Sequence, residues 1–231
     1  NEVGSSPENK VKVYVGNDEP TQVKDVNLAI DPETGVAKLT WSPVTTGING
    51  GYIGNITYNV VRYPDSTTVA TGLAATEFTE TFSAEEPLQT YSYGVAAVND
   101  TQTGVAGISN KSVFGAAIVP PYSEPLDNEG ALELYTIIDN NEDESTWEFN
   151  EKEGAASYKY SRVNDGDDWL ITPAIQLKGG KLYSVSFETC GYGYTYHERI
   201  EVKYGNQPTV AGMTHQLLDS TDIMSPNYTK F

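Results

Sequence analysis

Six consecutive residues, Asp139, Asn140, Asn141, Glu142, Asp143 and Glu144, carry a side-chain oxygen at every position. Alternate side chains of a tight loop point inward, so Asp139, Asn141 and Asp143 could converge on one hard cation, which oxygen ligands suit. The spacing is not that of an EF-hand. Counted from Asp139, the sixth position needs glycine and is Glu144, and the twelfth needs glutamate and is Asn150. The same residues would also make a solvated turn in an acidic protein. A second cluster, Asn164, Asp165, Gly166, Asp167 and Asp168, reads first as a turn of residues that tolerate unusual backbone angles. Asp168 is available as a helper at the first site.

Tyr192, Tyr194 and Tyr196 follow Gly191 with a period of two. On one face of an open strand they would form a platform on which sugar rings stack, with hydroxyls for hydrogen bonds. Such a row more often packs the rim of a sheet. Catalytic chemistry has little to stand on. No Gly-x-Ser-x-Gly, His-Glu-x-x-His or phosphate-cradling glycine loop is present. The lone Cys190 would need a histidine partner, and only His197 and His215 are candidates, without a Cys/His signature around them. No catalytic residue is assigned, and the chain is expected not to be an enzyme.

The elements that must hold these residues are strands. The composition includes 16 Tyr, 21 Gly and 12 Pro among 231 residues, which favours strands joined by tight turns. No window sustains an amphipathic helical period. With 32 acidic against 14 basic residues the net charge is -18, which repels nucleic acid and anionic lipid but suits divalent cations. A single cysteine excludes an intramolecular disulfide framework. There is no apolar run of membrane-spanning length and no leader, and the chain reads as a segment of a longer exported protein.

Residues 21–119 are a procession of about seven short strands with turn signals between them, which describes a β-sandwich. Trp41, Tyr58, Val60, Leu88, Tyr91, Val95, Ala97 and Asn99 fall where a fibronectin type III domain would place them, and this stretch resembles that family. The resemblance makes Tyr91 the corner tyrosine, whose hydroxyl would satisfy backbone at the sheet edge. Val11 to Val15 reads as a strand, either the last of a preceding module or a tail docked on this one. Pro120 and Pro121 mark a stiff linker that would hold the two domains at a fixed angle.

From Pro121 onward the chain resembles the choice-of-anchor J, or cleaved-adhesin, jelly-roll family of secreted Bacteroidetes proteins and gingipain haemagglutinin regions. The match rests on Pro121-Tyr-Ser, the acidic loop before Trp147, Asp168-Trp-Leu-Ile-Thr-Pro173, the strand expected over 182–190, and His197-Glu-Arg-Ile-Glu-Val202. The resemblance implies calcium as the ion at the acidic loop and Glu198 as a supplementary ligand. The chain departs from the family by placing Glu142 and Glu144 where glycine is favoured. The family continues for more strands, so an unpaired sheet edge is expected here.

The expectation is therefore an all-β protein of two β-sandwich domains, fibronectin type III-like then jelly-roll-like. Its parts are a tail over 1–20, a first domain over 21–119 and a second over 120–231. The function expected is a non-catalytic extracellular or cell-surface binding and adhesion module of a larger bacterial protein. The jelly roll would be calcium-stabilised and would take a host or dietary glycan or a surface protein. The alternative is an accessory region that targets a secreted peptidase or glycoside hydrolase to its substrate.

Overall fold

Alternation of apolar and polar residues sets the first half of the molecule. The computed structural model describes residues 11–195 and 197–231, and the chain divides into two units, Asn1–Gly115 and Ala116–Phe231. In the first unit the strands are β1 (Asn27–Ile30), β2 (Val36–Thr40), β3 (Thr57–Tyr63), β4 (Thr67–Leu73), β5 (Glu77–Thr81), β6 (Gln89–Val98), β7 (Gly107–Ile108) and β8 (Ser112–Phe114). They form a three-stranded sheet, β1-β2-β5, and a five-stranded sheet, β4-β3-β6-β7 with β8 also on β6. All pairings between these strands are antiparallel.

The inner faces are the ones the period of two selects. Ala37, Leu39 and Trp41 are buried against Tyr58 and Val60, and against Tyr91, Tyr93, Val95 and Ala97 along β6. Trp41 meets Tyr58 edge-on at 5.3 Å between centroids, and Phe82 stacks on Tyr91 at 4.0 Å, geometries that aromatic quadrupoles favour. The corner expectation is corrected in detail. The Tyr91 hydroxyl accepts from the Gln89 side chain at 2.7 Å, and it is the Tyr58 hydroxyl that satisfies backbone, accepting from Val44 N at 2.9 Å. Tyr93 donates its buried hydroxyl to Glu80, which Arg62 clamps at 2.8 Å while also holding Asp65 at 2.6 Å.

Two features of the N-terminal stretch differ from the sequence expectation. Residues 11–15 are not a strand, and Val11, Val13 and Val15 are exposed. Residues 17–20, by contrast, belong to the first unit: Asn17 bridges Tyr52, Pro20 bridges Gly47, and Asp18 and Pro20 are fully buried.

The second unit is also all β, apart from single 3-10 turns at Glu129–Leu132 and Val210–Gly212. Its strands are β9 (Thr136–Asp139), β10 (Trp147–Asn150), β11 (Ala155–Tyr158), β12 (Asp168–Ile171), β13 (Glu188–Thr189), β14 (Glu198–Tyr204), β15 (His215–Ile223) and β16 (Thr229–Lys230). They pair in antiparallel twos: β9 with β12, β10 with β11, β13 with β16 and β14 with β15. Ile118 joins this unit by bridging Ile175. Among the described residues these are four separate two-stranded ladders, not joined into a larger sheet.

Two strands are shorter than their hydrophobic pattern predicts. β12, which opens the Asp168-Trp-Leu-Ile-Thr-Pro173 motif, ends at Ile171, ahead of Pro173, which has no N–H to extend a ladder. The strand expected over 182–190 is reduced to Glu188–Thr189, with Phe187 exchanging backbone hydrogen bonds with Phe231 and stacking on it at 5.4 Å. Residues 181–187 are assigned to no strand, and Leu182 is 100% exposed. Short of Phe187 the segment has no ladder to pack against, and Leu182 and Val185 of its apolar alternation stay exposed. Among the described residues of this unit the buried hydrophobics are Ile171 and Ile223. No helix among the described residues is long and apolar enough to cross a membrane.

Candidate functional site

The acidic loop leaves β9 at Asp139 and returns to β10 at Trp147. Its backbone is shaped by its own carboxylates. Asp139 accepts from Asp143 N at 3.2 Å and from Glu144 N at 2.8 Å, and Asp143 accepts from Ser145 N at 2.9 Å. Glu142 and Glu144 take left-handed angles, with φ of 55° and 65°. The loop therefore keeps the conformation that glycine makes easy while carrying glutamate, which costs about 1–2 kcal/mol at each such position.

The structure brings the second acidic cluster onto the first. β9 and β12 are paired so that Asp139 stands opposite Asp168. Asn140 Nδ2 donates to Asp167 Oδ2 at 2.6 Å, and Asn141 Nδ2 donates to the Asp165 carbonyl at 2.8 Å and to Asp143 Oδ2 at 3.3 Å. Tryptophans brace the seam: Trp147 Nε1 donates to the Asp168 carbonyl at 3.3 Å, and Trp169 Nε1 to Asp167 Oδ1 at 3.1 Å. Lys203 on β14 lies over the Trp169 ring, 5.4 Å from its centroid.

At the bottom of this seam lies a group of shielded oxygens. Both carboxylate oxygens of Asp168, Asn141 Oδ1, Thr146 Oγ1 and the Tyr158 hydroxyl are shut from solvent without a well-formed hydrogen bond. Burial raises the Asp168 carboxyl above its ordinary 3.8; the nearby hydroxyls of Thr146 and Tyr158 oppose this, and the charges of Asp139 and Asp143 add to it. Tyr158 is pushed up to about 12, first by burial, then by Asp168, with Asp143 and Glu198 behind. That influence places Glu198, at the start of β14, in the electrostatic neighbourhood of the same hydroxyl. Gly166 lets the phenol in, since a Cβ there would stand 2.8 Å from the Tyr158 hydroxyl.

Of the expected ligands, Asp139, Asn141 and Asp143 share one loop, and Glu198 on β14 acts on the Tyr158 hydroxyl through its charge. Thr146 and Tyr158 were not singled out from sequence, because neither lies in an acidic run and only the fold points them at Asp168. Among the described residues, no three His, Cys, Asp or Glu side chains are gathered closely enough to hold a metal ion as they stand. The donor chemistry nevertheless fits a hard cation: the orphaned atoms are all oxygens, and unpaired buried oxygens are costly.

The tyrosine row is placed differently from its expectation. Tyr192 and Tyr194 lie in a bend and a turn, not on a strand, and both rings are exposed. The strand that period-two spacing needs to set a shared face is therefore not present at Tyr192 and Tyr194; Tyr196 lies outside the described residues. Gly191 forces the departure, since its N–H donates to the Ser225 carbonyl at 2.7 Å and its α-carbon sits against the Ile223 carbonyl. Cys190 is half-buried beside Tyr228, whose phenol is raised by burial and then by that thiol. His215 is engaged by Thr214 Oγ1 at 2.9 Å and stacks on Tyr204.

No protein-family model matches the chain, and no curated protein matches it. Solved structures do, and those compared cover 40% to 68% of the chain. An Fn3-like protein from Clostridium thermocellum is 24% identical over 46% of this chain and 99% of its own, with a TM-score of 0.32. The FN3tt domain is 17% identical over 42% of this chain and 95% of its own, at a TM-score of 0.33. Domains d3-d4 of the rat CD45 extracellular region are 13% identical over 49% and 71% of the two chains, at 0.36. The all-β sandwich itself rests on the strand pairing described above.

Proposed function

We propose that this chain is a non-catalytic extracellular binding and adhesion module in which the second unit is fixed by calcium. The observation that carries the reading is the shielded Asp168 carboxylate, without a well-formed hydrogen bond, beside the hydroxyls of Thr146 and Tyr158 and near the charges of Asp139 and Asp143. Asp139, Asn141, Asp143 and Asp168 would hold the ion, and Glu198 would add a ligand directly or through water. Bound there, calcium neutralises like charges that face each other across β9 and β12. It thereby ties the 139–147 loop to the 164–168 loop and braces a unit whose apolar core is small. The first unit acts as a rigid sandwich spacer, and the recognition surface is carried by loops, for a glycan or a surface protein.

The test is thermal unfolding in millimolar calcium against chelator. If the free ion stands at about 100 times its dissociation constant, linkage stabilises the second unit by about 2.7 kcal/mol. Asp168→Asn should remove that response. An unchanged melt of the unaltered chain, in calcium and in chelator, overturns the reading.

A further inference from the structure

The first unit carries a concave surface outside the acidic seam and outside the tyrosine row at 192–196. It is an open groove of about 550 Å³, whose lining includes Thr45, Tyr52, Gly54, Asn55 and Ile56. Tyr52 is 73% exposed and presents its ring on the lining of this groove.

The loop that presents this ring is built rather than loose. Asp18 is fully buried and accepts from Asn49 N at 2.8 Å, Asn49 Nδ2 at 2.9 Å, Gly51 N at 2.9 Å and Glu19 N at 2.9 Å. Its own N–H donates to the Tyr52 carbonyl at 2.7 Å, and Asn99 Nδ2 holds its carbonyl at 2.8 Å. Burial acts to raise the Asp18 carboxyl, but the donors from Asn49, Gly51 and Glu19 outweigh it and leave the group below its ordinary value, so it stays charged. Gly47 and Gly51 allow this close approach, since a Cβ on Gly47 would collide with the carboxylate. Tyr14 lies against Gly51, and Gly54, at φ +70°, leaves the space beside the Tyr52 ring open.

Charge selects the ligand class. No Asp, Glu, Lys or Arg occurs between Lys38 and Arg62, although 20% of the chain is charged and the net charge is -18. The groove thus offers an exposed aromatic face, the exposed hydroxyl of Thr45 and the exposed amide of Asn55, and none of the described residues that line it is charged. Stacking plus neutral hydrogen bonding is the chemistry that recognises an uncharged sugar, which has apolar ring faces and hydroxyl edges.

We propose that the Tyr52 groove of the first unit binds a neutral oligosaccharide, with the ring as stacking platform and Thr45 and Asn55 as hydrogen-bonding flanks, held ready by buried Asp18. This goes beyond the calcium-braced reading of the second unit and stands if that reading fails.

The experiment is affinity electrophoresis and array binding of the whole chain on neutral polysaccharides, with anionic polysaccharides alongside. Retardation by a neutral polysaccharide is expected. Tyr52→Ala should weaken it about tenfold, the scale of one stacked ring, while Tyr52→Phe should hold affinity within about threefold. Tyr194→Ala and chelator should leave it unchanged. The proposal is overturned if no neutral glycan binds, if Tyr52→Ala binds as the parent does, or if binding disappears with Tyr194→Ala or chelator instead. Capture of peptides at this face without glycan binding overturns it as well.

Discussion

Asp168 has its carboxyl raised in the folded state, so the proton it holds there stabilises the fold. The sign follows from linkage: a raised folded value gives stability that is fully present below the unfolded value and lost as pH rises through the folded one. In chelator, acidification from neutral towards pH 4 should therefore stabilise the second unit, and Asp168→Asn should flatten that slope. Calcium should reverse the preference, because the ion needs the carboxylate. Melting temperature against pH, with and without the ion, reads all of this. Glu142 and Glu144 give a second test at the same scale. Both hold left-handed backbone angles, and Glu144→Gly should stabilise the calcium-free chain by about 1 kcal/mol. A destabilised variant in urea titration would count against strain at this position.

At the level of elements, the first unit was legible because its signals are local and agree with one another. Ala37, Leu39 and Trp41 alternate inward from a turn whose Asp31 accepts from Glu33 N and Thr34 N, both at 2.9 Å. Tyr91, Tyr93, Val95 and Ala97 do the same on β6. Leu39→Ala should accordingly cost about 2–5 kcal/mol, measured by denaturant unfolding. A loss under 1 kcal/mol would show that this core relaxes freely. The second unit was less legible. Alternation over 182–190 looks like a strand, yet a strand is stable only with a partner, and partners are distant in sequence. The acidic loop was visible as a run of oxygens; its docking on 164–168 was not, because the pairing of Asp139 with Asp168 is a property of β9 and β12 together.

Across the whole molecule, a net charge of -18 makes self-repulsion part of the stability balance. Raising sodium chloride from about 10 mM to about 150 mM shortens the screening length from roughly 30 Å to 8 Å, and both units should melt higher for it. Calcium should act on one unit alone. The chain has its own reporters for this comparison, with Trp41 in the first unit and Trp147 and Trp169 beside the acidic seam of the second. Fluorescence that shows equal calcium responses in Trp41→Phe and in the parent chain places the ion's effect in the second unit. Loss of the response in that variant places it in the first.

Sequence alone determined that this is a β protein, where the first sandwich keeps its inner faces, and that its chemistry is acidic, oxygen-rich and carried on loops. Those conclusions follow from period-two alternation, turn residues and charge, which act between near neighbours. Tertiary structure decided which loops meet. It placed Asp168 under the acidic loop, pulled Tyr158 and Thr146 to it, took Tyr192 and Tyr194 off any strand, and made Asp18 the buried support of Tyr52. Each is a contact between residues far apart in the chain, set by ladder register and burial, which no local pattern encodes.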